Sequence, residues 1–445
     1  MATFRRTPRG NTLLLLSAVL VSLGIVGALE SQAFLLYAGV AIFLFYYASK
    51  LILQLKVKAL DKLEITRKFS PRVGEGSLLE VEVSLVNRTF VRLPLELQDS
   101  YPPFFRIRSG ASAAVINVPA KGFSELRYKV RPTSVGSNAF GPLRLVTRDL
   151  AGLFFYERSV TDALPDTVEV TPAGKALAKG VLTAVAISTY GGSLTSRMKG
   201  EGLEFADIRR YEPGDPYKRI EWHSTAKTNH LMVRELNAET QLNVMVLLDS
   251  TASMAYGEAG RTKLDYAARA VASLVSYLSR RGDFLGLTII QGDKPADVIP
   301  LARGELQAYR LLGALGKLTP KEAPVDSLRS AVSRCLASGG VKGKTLFFVI
   351  TDLDFERDLH PLRQLLELNH EVIVVSPYTP LFEAHGLEGL DRTVYAIRTS
   401  HELQTRKKLL NQALGLGIPV LDVGPDDLFS KLVAQVEELR RKGGS

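Results

Sequence analysis

With a single cysteine, Cys335, in 445 residues, the chain has no intramolecular disulfide and no thiolate cluster for a metal. Its six histidines are scattered and no His-Glu-x-x-His pair occurs, which argues against a zinc hydrolase of that type. A phosphate-binding loop is also lacking. The nearest text, SGGVKGKT at Ser338–Thr345, begins with serine in place of glycine and leads into a strand-like run instead of a helix. Its Gly339 and Gly340 read better as a helix stop. Acidic residues are nearly absent from residues 1–59, where Glu30 stands against six Lys and Arg. Half of the net charge of +10 therefore belongs to that segment. The remainder has no basic run interleaved with aromatics, so no nucleic-acid partner is expected.

Long apolar runs are what the N-terminus does contain. Thr12–Leu29 is uncharged, Ala33–Ser49 is a second such run, and only Glu30, Ser31 and Gln32 lie between them. With Leu51–Leu55 extending the second past Lys50, the pair predicts a transmembrane hairpin over residues 1–59. Arg5, Arg6 and Arg9 precede it and Lys50, Lys56, Lys58 and Lys62 follow, which places both ends in the cytoplasm by the positive-inside rule. A cleaved signal peptide fits less well, because no small-x-small site precedes the turn and a second apolar run follows at once. The localisation expected is a multi-pass protein of the cell membrane with its soluble domains facing the cytoplasm.

Residues 60–175 alternate with period two. In LLEVEVSLVN, Leu79, Val81, Val83 and Leu85 are separated by Glu80, Glu82 and Ser84, the pattern of a half-buried strand. VRLPLELQ, AAVINVPA, SELRYKVRP, GPLRLVTRD and DTVEVTP repeat it between Pro, Gly and Asn turns, which predicts a small β-sandwich. Residues 241–445 instead alternate strands with helices. Strands are expected at Val244–Leu248, Phe284–Ile290, Leu346–Ile350, Val372–Val375, Val394–Ile397 and Val420–Val423. Helices are expected at Leu264–Arg281, Leu306–Leu315, Ser327–Leu336, Leu359–Leu368, His401–Leu414 and Asp426–Arg441. That order predicts a mostly parallel, Rossmann-type α/β sheet covered on both faces.

The most informative stretch is NVMVLLDSTASM, Asn243–Met254, an apolar run that ends in Asp249, Thr251 and Ser253. In extended chain these alternate positions face one side, so one carboxylate and two hydroxyls converge. Hard oxygen donors of this kind suit magnesium. A second apolar run, KTLFFVITD, ends in Asp352, and open α/β sheets carry their sites at such strand ends. Helix capping by Asp249 and Asp352 is the simpler account, but it does not ask for Thr251 and Ser253 as well. The motif DSTAS resembles the Asp-x-Ser-x-Ser metal-ion-dependent adhesion site of von Willebrand factor A-like domains, with Thr251 in the middle hydroxyl place and Asp352 in the place of the last acidic residue. That resemblance implies bound Mg2+ and adhesion. The family usually adds a threonine from a later loop, where this chain has Val325 followed by Asp326; either Asp326, Ser327 or Thr319 substitutes, or the site is weakened.

Residues 176–240 hold a second distinctive text, GEGLEFADIRRYEPGDPYKRIEWHSTAKTNHLMVRELN, centred on a Pro213-Gly214-Asp215 turn. Mixed charge around Trp222, the only tryptophan, predicts a self-paired clasp packed about that ring. Glu204, Phe205, Arg209, Tyr211, Pro213, Gly214, Asp215, Arg219, Ile220, Glu221, Trp222, Ala226, Lys227, Val233, Arg234 and Glu235 together resemble the motif of the family known as domain of unknown function 58, membrane proteins with a von Willebrand factor A-like domain. Lys227 departs from an arginine common there and loses bidentate bonding. The resemblance implies a MoxR-type AAA ATPase as partner and a role in assembly or maturation of protein complexes.

Phosphoryl transfer of the haloacid dehalogenase type needs Asp-x-Asp after the first strand, whereas residue 251 is threonine, and Asp352-Leu-Asp354 has Glu356 at its fifth place. The expectation is thus a non-enzymatic, membrane-anchored adaptor with a magnesium site. The alternatives are a metal-free scaffold and, behind it, a magnesium-dependent phosphohydrolase. The topology is tested by cysteine labelling in a Cys335→Ala background. S31C is expected to react with a membrane-impermeant maleimide in intact cells, and a cysteine at Lys62 only after lysis; the reverse pattern would invert the orientation.

Overall fold

The computed structural model describes residues 2–28, 34–161, 167–173, 199–200, 204–237, 241–258, 260–291, 296–322, 327–339, 341, 343–353, 359–379, 382 and 400–442. They form two compact units, Met1–Val170 and Thr171–Ser445.

The first unit opens with β1 (Ala2–Arg6), α1 (Pro8–Ala28) and α2 (Phe34–Leu60). Pro8 suits the first helical position, where a backbone N–H is not needed. Just before it, the Thr7 hydroxyl accepts from Gly10 N–H at 3.2 Å and donates to the Gly152 carbonyl at 2.7 Å. Both helices are long and apolar enough to cross a membrane. They turn Leu15, Leu23, Phe34 and Leu44 outward. Glycines let the two helices approach: a Cβ on Gly39 would lie 2.7 Å from the Val21 nitrogen, and one on Gly24 would collide with the Leu36 backbone. The second helix does not end with its apolar run. It continues to Leu60, and its last turns bury Leu53, Lys56, Ala59 and Leu60. There Lys56 Nζ donates to the Arg148 carbonyl at 3.2 Å.

A mostly β region follows: β2 (Glu64–Lys68), β3 (Arg72–Gly74), β4 (Leu79–Val86), β5 (Leu93–Asp99), β6 (Phe105–Gly110), β7 (Ala113–Val118), β8 (Phe123–Pro132), β9 (Gly136–Ala139), β10 (Leu143–Arg148), β11 (Phe154–Val160) and β12 (Thr167–Thr171). One sheet has the order β1-β11-β10-β5-β7, a second β2-β4-β8-β6, and a third β3-β12-β9. Every second residue of β4 is buried, as its alternation requires. Leu79, Val81, Val83 and Leu85 from β4 join Leu93, Leu95 and Leu97 from β5 and Leu143 and Leu145 from β10 in a single apolar core. The expected β-rich region is therefore present, with β1 added at its edge from before the first helix.

A charged group lies buried beside that core. The Arg67 guanidinium donates to Asp99 Oδ1 and, at 2.9 Å, to the Gly141 carbonyl, while the Tyr128 hydroxyl donates to Asp99 Oδ2 at 2.6 Å. Burial and the neighbouring Asp99 push the Tyr128 phenol upward, so it remains a neutral donor. Removing one member strands the others away from water. Asp99→Ala is expected to destabilise this unit by about 3–5 kcal/mol. Tyr128→Phe, which leaves Asp99 paired with Arg67, should cost only about 1 kcal/mol. Urea denaturation of the two variants checks the ranking, and equal losses would contradict it.

The second unit begins with β13 (Lys199–Gly200), β14 (Glu204–Arg210), α3 (Trp222–Thr228) and β15 (Met232–Asn237), whose strands form a small sheet in the order β13-β15-β14. The α/β part comprises β16 (Asn243–Asp249), β17 (Gly257–Glu258), β18 (Arg261–Thr262), α4 (Lys263–Arg280), β19 (Phe284–Ile290), β20 (Asp297–Ala302), α5 (Glu305–Leu315), α6 (Ser327–Ala337), β21 (Leu346–Ile350), α7 (His360–Glu367), β22 (Glu371–Pro377), α8 (Ser400–Gly415), β23 (Val420–Val423) and α9 (Leu428–Lys442). Its six strands lie in the order β20-β19-β16-β21-β22-β23. All neighbours run parallel except β20 against β19. That antiparallel edge strand, DVIPLA, went unread in the sequence because its residues alternate only weakly and include a proline. The strand expected at Val394–Ile397 lies outside the described residues.

Strands β16 and β21 are buried along almost their whole length, as their unbroken apolar runs require. The chain moves from β16 to β19 on one side and returns to β21 on the other, so the crevice at their carboxyl ends is a topological switch point.

Candidate functional site

Asp249 closes β16, and Asp352 follows two residues after the end of β21, so the sheet delivers both carboxylates to the switch point. Both are fully buried. Asp249 Oδ1 accepts from the Thr251 backbone N–H at 2.9 Å, and its Oδ2 accepts from the Thr351 hydroxyl at 2.7 Å. This pairing bends the chain beyond β16 and turns Thr251 toward Ser253. Thr251 Oγ1 and Ser253 Oγ are 3.0 Å apart, and Ser253 Oγ donates to Asp352 Oδ1 at 3.0 Å. Two hydroxyls and a carboxylate oxygen, from segments almost a hundred residues apart, thus meet at one place. Lys321 supports the loop by main-chain bonds: its carbonyl accepts from Ala252 N–H at 2.8 Å and its N–H donates to the Ser250 carbonyl at 3.3 Å.

Lys263, absent from the sequence expectations, also enters the cluster. Its side chain is buried, and Nζ donates to Asp352 Oδ2 at 2.9 Å and to Thr379 Oγ1 at 2.7 Å. The Tyr256 ring centre lies 5.6 Å from the ammonium. Lys263 is the first residue of α4, behind the cap Thr262, whose side chain and that of Asp265 form a reciprocal capping box. The signal was in the text. Lys263 falls in line with Ala267, Ala270 and Leu274 on the buried face of an amphipathic helix, where a charge demands a partner. Thr351 was legible for a similar reason, as the last residue before Asp352 in an otherwise apolar run.

Asp326 and Val325 lie outside the described residues, so the substitute proposed at that place has no described position. Thr319 is exposed, and its hydroxyl donates to the Lys317 carbonyl at 3.4 Å. The donors that do converge are hydroxyl and carboxylate oxygens, which in kind fit a hard divalent cation.

The clasp residues have a different arrangement from the expected one. Arg209 makes a bidentate pair with Asp215 at 2.6 and 2.7 Å, and Arg234 pairs with Glu221. Tyr211 stacks on Tyr217 with ring centres 5.9 Å apart. Gly214, at φ 112°, makes the turn that brings Asp215 back to Glu212 N–H at 2.9 Å. Charge pairing is therefore present, but Trp222 is not its centre. That ring is 68% exposed at the start of α3, and the hairpin is closed by its strand pairing, the ion pairs and the tyrosine stack. Pro213 and Arg219 sit in the same turn region, and the main chain of Glu204 and Phe205 pairs with β15.

Residues 207–383 match the family model described as "Protein of unknown function DUF58". That range includes the Arg209–Asp215 and Arg234–Glu221 pairs of the clasp, β16, α4 and the whole of the hydroxyl–carboxylate cluster. Among curated proteins, the chain is 29% identical over 183 residues to "Uncharacterized protein Rv1480" of Mycobacterium tuberculosis, covering 41% of this chain and 56% of that protein. It is 24% identical over 241 residues to "Uncharacterized protein YeaD" of Bacillus subtilis, covering 53% of this chain and 57% of that one. The chain thus spans little more than half the length of the curated relatives it matches. Solved structures similar to it include BatB from Bacteroides thetaiotaomicron, at TM-score 0.30 and 16% identity over 45% of this chain and 99% of that one. An aerotolerance-related membrane protein from Bacteroides fragilis matches at TM-score 0.28 and 17% identity over 44% and 97%.

The clasp pairs carry a pH dependence. Hydrogen bonding from Arg209, and then from the Glu212 backbone, holds Asp215 below its ordinary value of 3.8, and Arg234 holds Glu221 below 4.5. Carboxylates depressed in the folded state contribute stability that is present above those ordinary values and is lost as pH falls through the depressed ones. Fluorescence of Trp222, the neighbour of Glu221, is expected to stay constant down to about pH 5 and to shift only in the range below it. A transition centred near neutrality would show that the pairs do not hold the clasp.

Proposed function

We propose that this chain is a membrane-anchored, non-enzymatic adaptor whose partner docks on the cluster at the carboxyl end of β16 and β21. The observation that carries the reading is the convergence of Thr251, Ser253 and Asp352 within 3.0 Å contacts, from loops that follow two different strands. Helix capping does not account for it, since α4 has its own cap in Thr262. The strand order with one antiparallel edge and the Asp249–Thr251–Ser253 alternation support a von Willebrand factor A-like domain with an adhesion-type site.

Magnesium would be held there by the hydroxyls of Thr251 and Ser253 and by Asp352, with Asp249 orienting Thr251 through its N–H. Bound there, the ion supplies a Lewis-acidic point for a partner's carboxylate. The partner in this reading is a MoxR-type ATPase, and the process is assembly or maturation of a protein complex at the cytoplasmic face of the membrane.

Asp249 is a poor residue to remove, because both its oxygens accept hydrogen bonds inside the fold and losing a buried hydrogen bond costs about 1–3 kcal/mol. Ser253, which is only partly buried, is the cleaner target. Purification of the full chain in detergent, with magnesium or with chelator, is expected to retain an AAA ATPase only with magnesium, and Ser253→Ala should lose it while still unfolding in a cooperative thermal transition. Retention that is indifferent to both changes would favour the metal-free scaffold.

A further inference from the structure

The candidate site already contains a cation of its own. Lys263 and the hydroxyl pair share one carboxylate, with the ammonium on Asp352 Oδ2 and the Ser253 hydroxyl on Oδ1. The placement is costly on two counts. A buried ammonium gives up its hydration. In the first turn of α4 it also faces the positive end of the helix dipole. Neither packing nor capping asks for it, since Leu264, Ala267, Val271 and Leu274 fill the helix face and Thr262 with Asp265 caps the end. What the lysine does achieve is charge balance. Its positive charge offsets that of the Asp352 carboxylate to which it is bonded.

We propose that Lys263 is a resident counter-ion of this site. It keeps Asp352 and the two hydroxyls converged when no divalent cation is bound, and by its charge it lowers the affinity for one. The site is therefore preassembled, and its affinity for magnesium is set by a residue outside the motif. This rests on the metal-dependent reading above and adds to it the group that tunes the metal.

The test is calorimetric titration of magnesium, and separately of manganese, into the full chain in detergent. Wild type is compared with Lys263→Met, which removes the charge, and Lys263→Gln, which keeps a donor for Asp352. Repulsion between a fixed unit charge and a divalent ion a few ångströms away makes both variants bind magnesium at least about tenfold more tightly than wild type. If the variants are unstable, saturating magnesium should restore their melting temperature, because the ion then replaces the ammonium. Equal or weaker affinity in folded variants, or unstable variants that magnesium does not rescue, would overturn the role of Lys263 alone. Absence of divalent binding in wild type and in both folded variants would instead overturn the metal-dependent reading itself.

Discussion

Strands β16 and β21 lie side by side with nearly every residue buried, and this constraint organises the second unit. A strand covered on both faces has no lateral outlet for a polar side chain. Its polar groups collect at its end, and two parallel neighbours present theirs at the same end. Asp249, Thr351 and Asp352 meet for that reason. Once they meet, each carboxylate needs donors: Asp249 takes them from Thr351 and the loop after β16, and Asp352 from that loop and from α4. The cluster is thus a product of sheet topology before it is a product of any motif.

Much of this was readable in the text, and the misses have physical causes. The strands at Phe284–Ile290, Leu346–Ile350 and Val420–Val423 were read at their observed limits, the middle one because an unbroken apolar run leaves little choice of boundary. Edge strands β1 and β20 escaped, because an edge is half-solvated and carries a weaker apolar signal. In the site, the alternation of Asp249, Thr251 and Ser253 was visible as a period of two. For Lys263 the helical period marked a buried charge, but its partner Asp352 lies 89 residues away and is brought to it only by the formed sheet. Trp222 was misread for the opposite reason. Size and rarity suggested burial, while the guanidinium–carboxylate pairs beside it close the hairpin without it.

Hydrophobic pattern and hydrogen bonding divide the work differently in the first unit. Its core is apolar leucine and valine from facing strands, and it encloses the Arg67–Asp99–Tyr128 group, in which both Asp99 oxygens accept a hydrogen bond. Such an arrangement adds directionality to a core that burial alone would leave tolerant of sliding.

The second apolar helix has no break between its exposed outer turns and the turns that bury Leu53 and Leu60 among the strands. The first helix is likewise tied down, since Thr7 bonds the loop at Gly152 and β1 pairs with β11. With both ends of the hairpin welded into the same β framework, the anchor is no flexible tether. A rotation or tilt of the hairpin is therefore passed to these strands as torque, and the two helices and the β framework of this unit move as a lever.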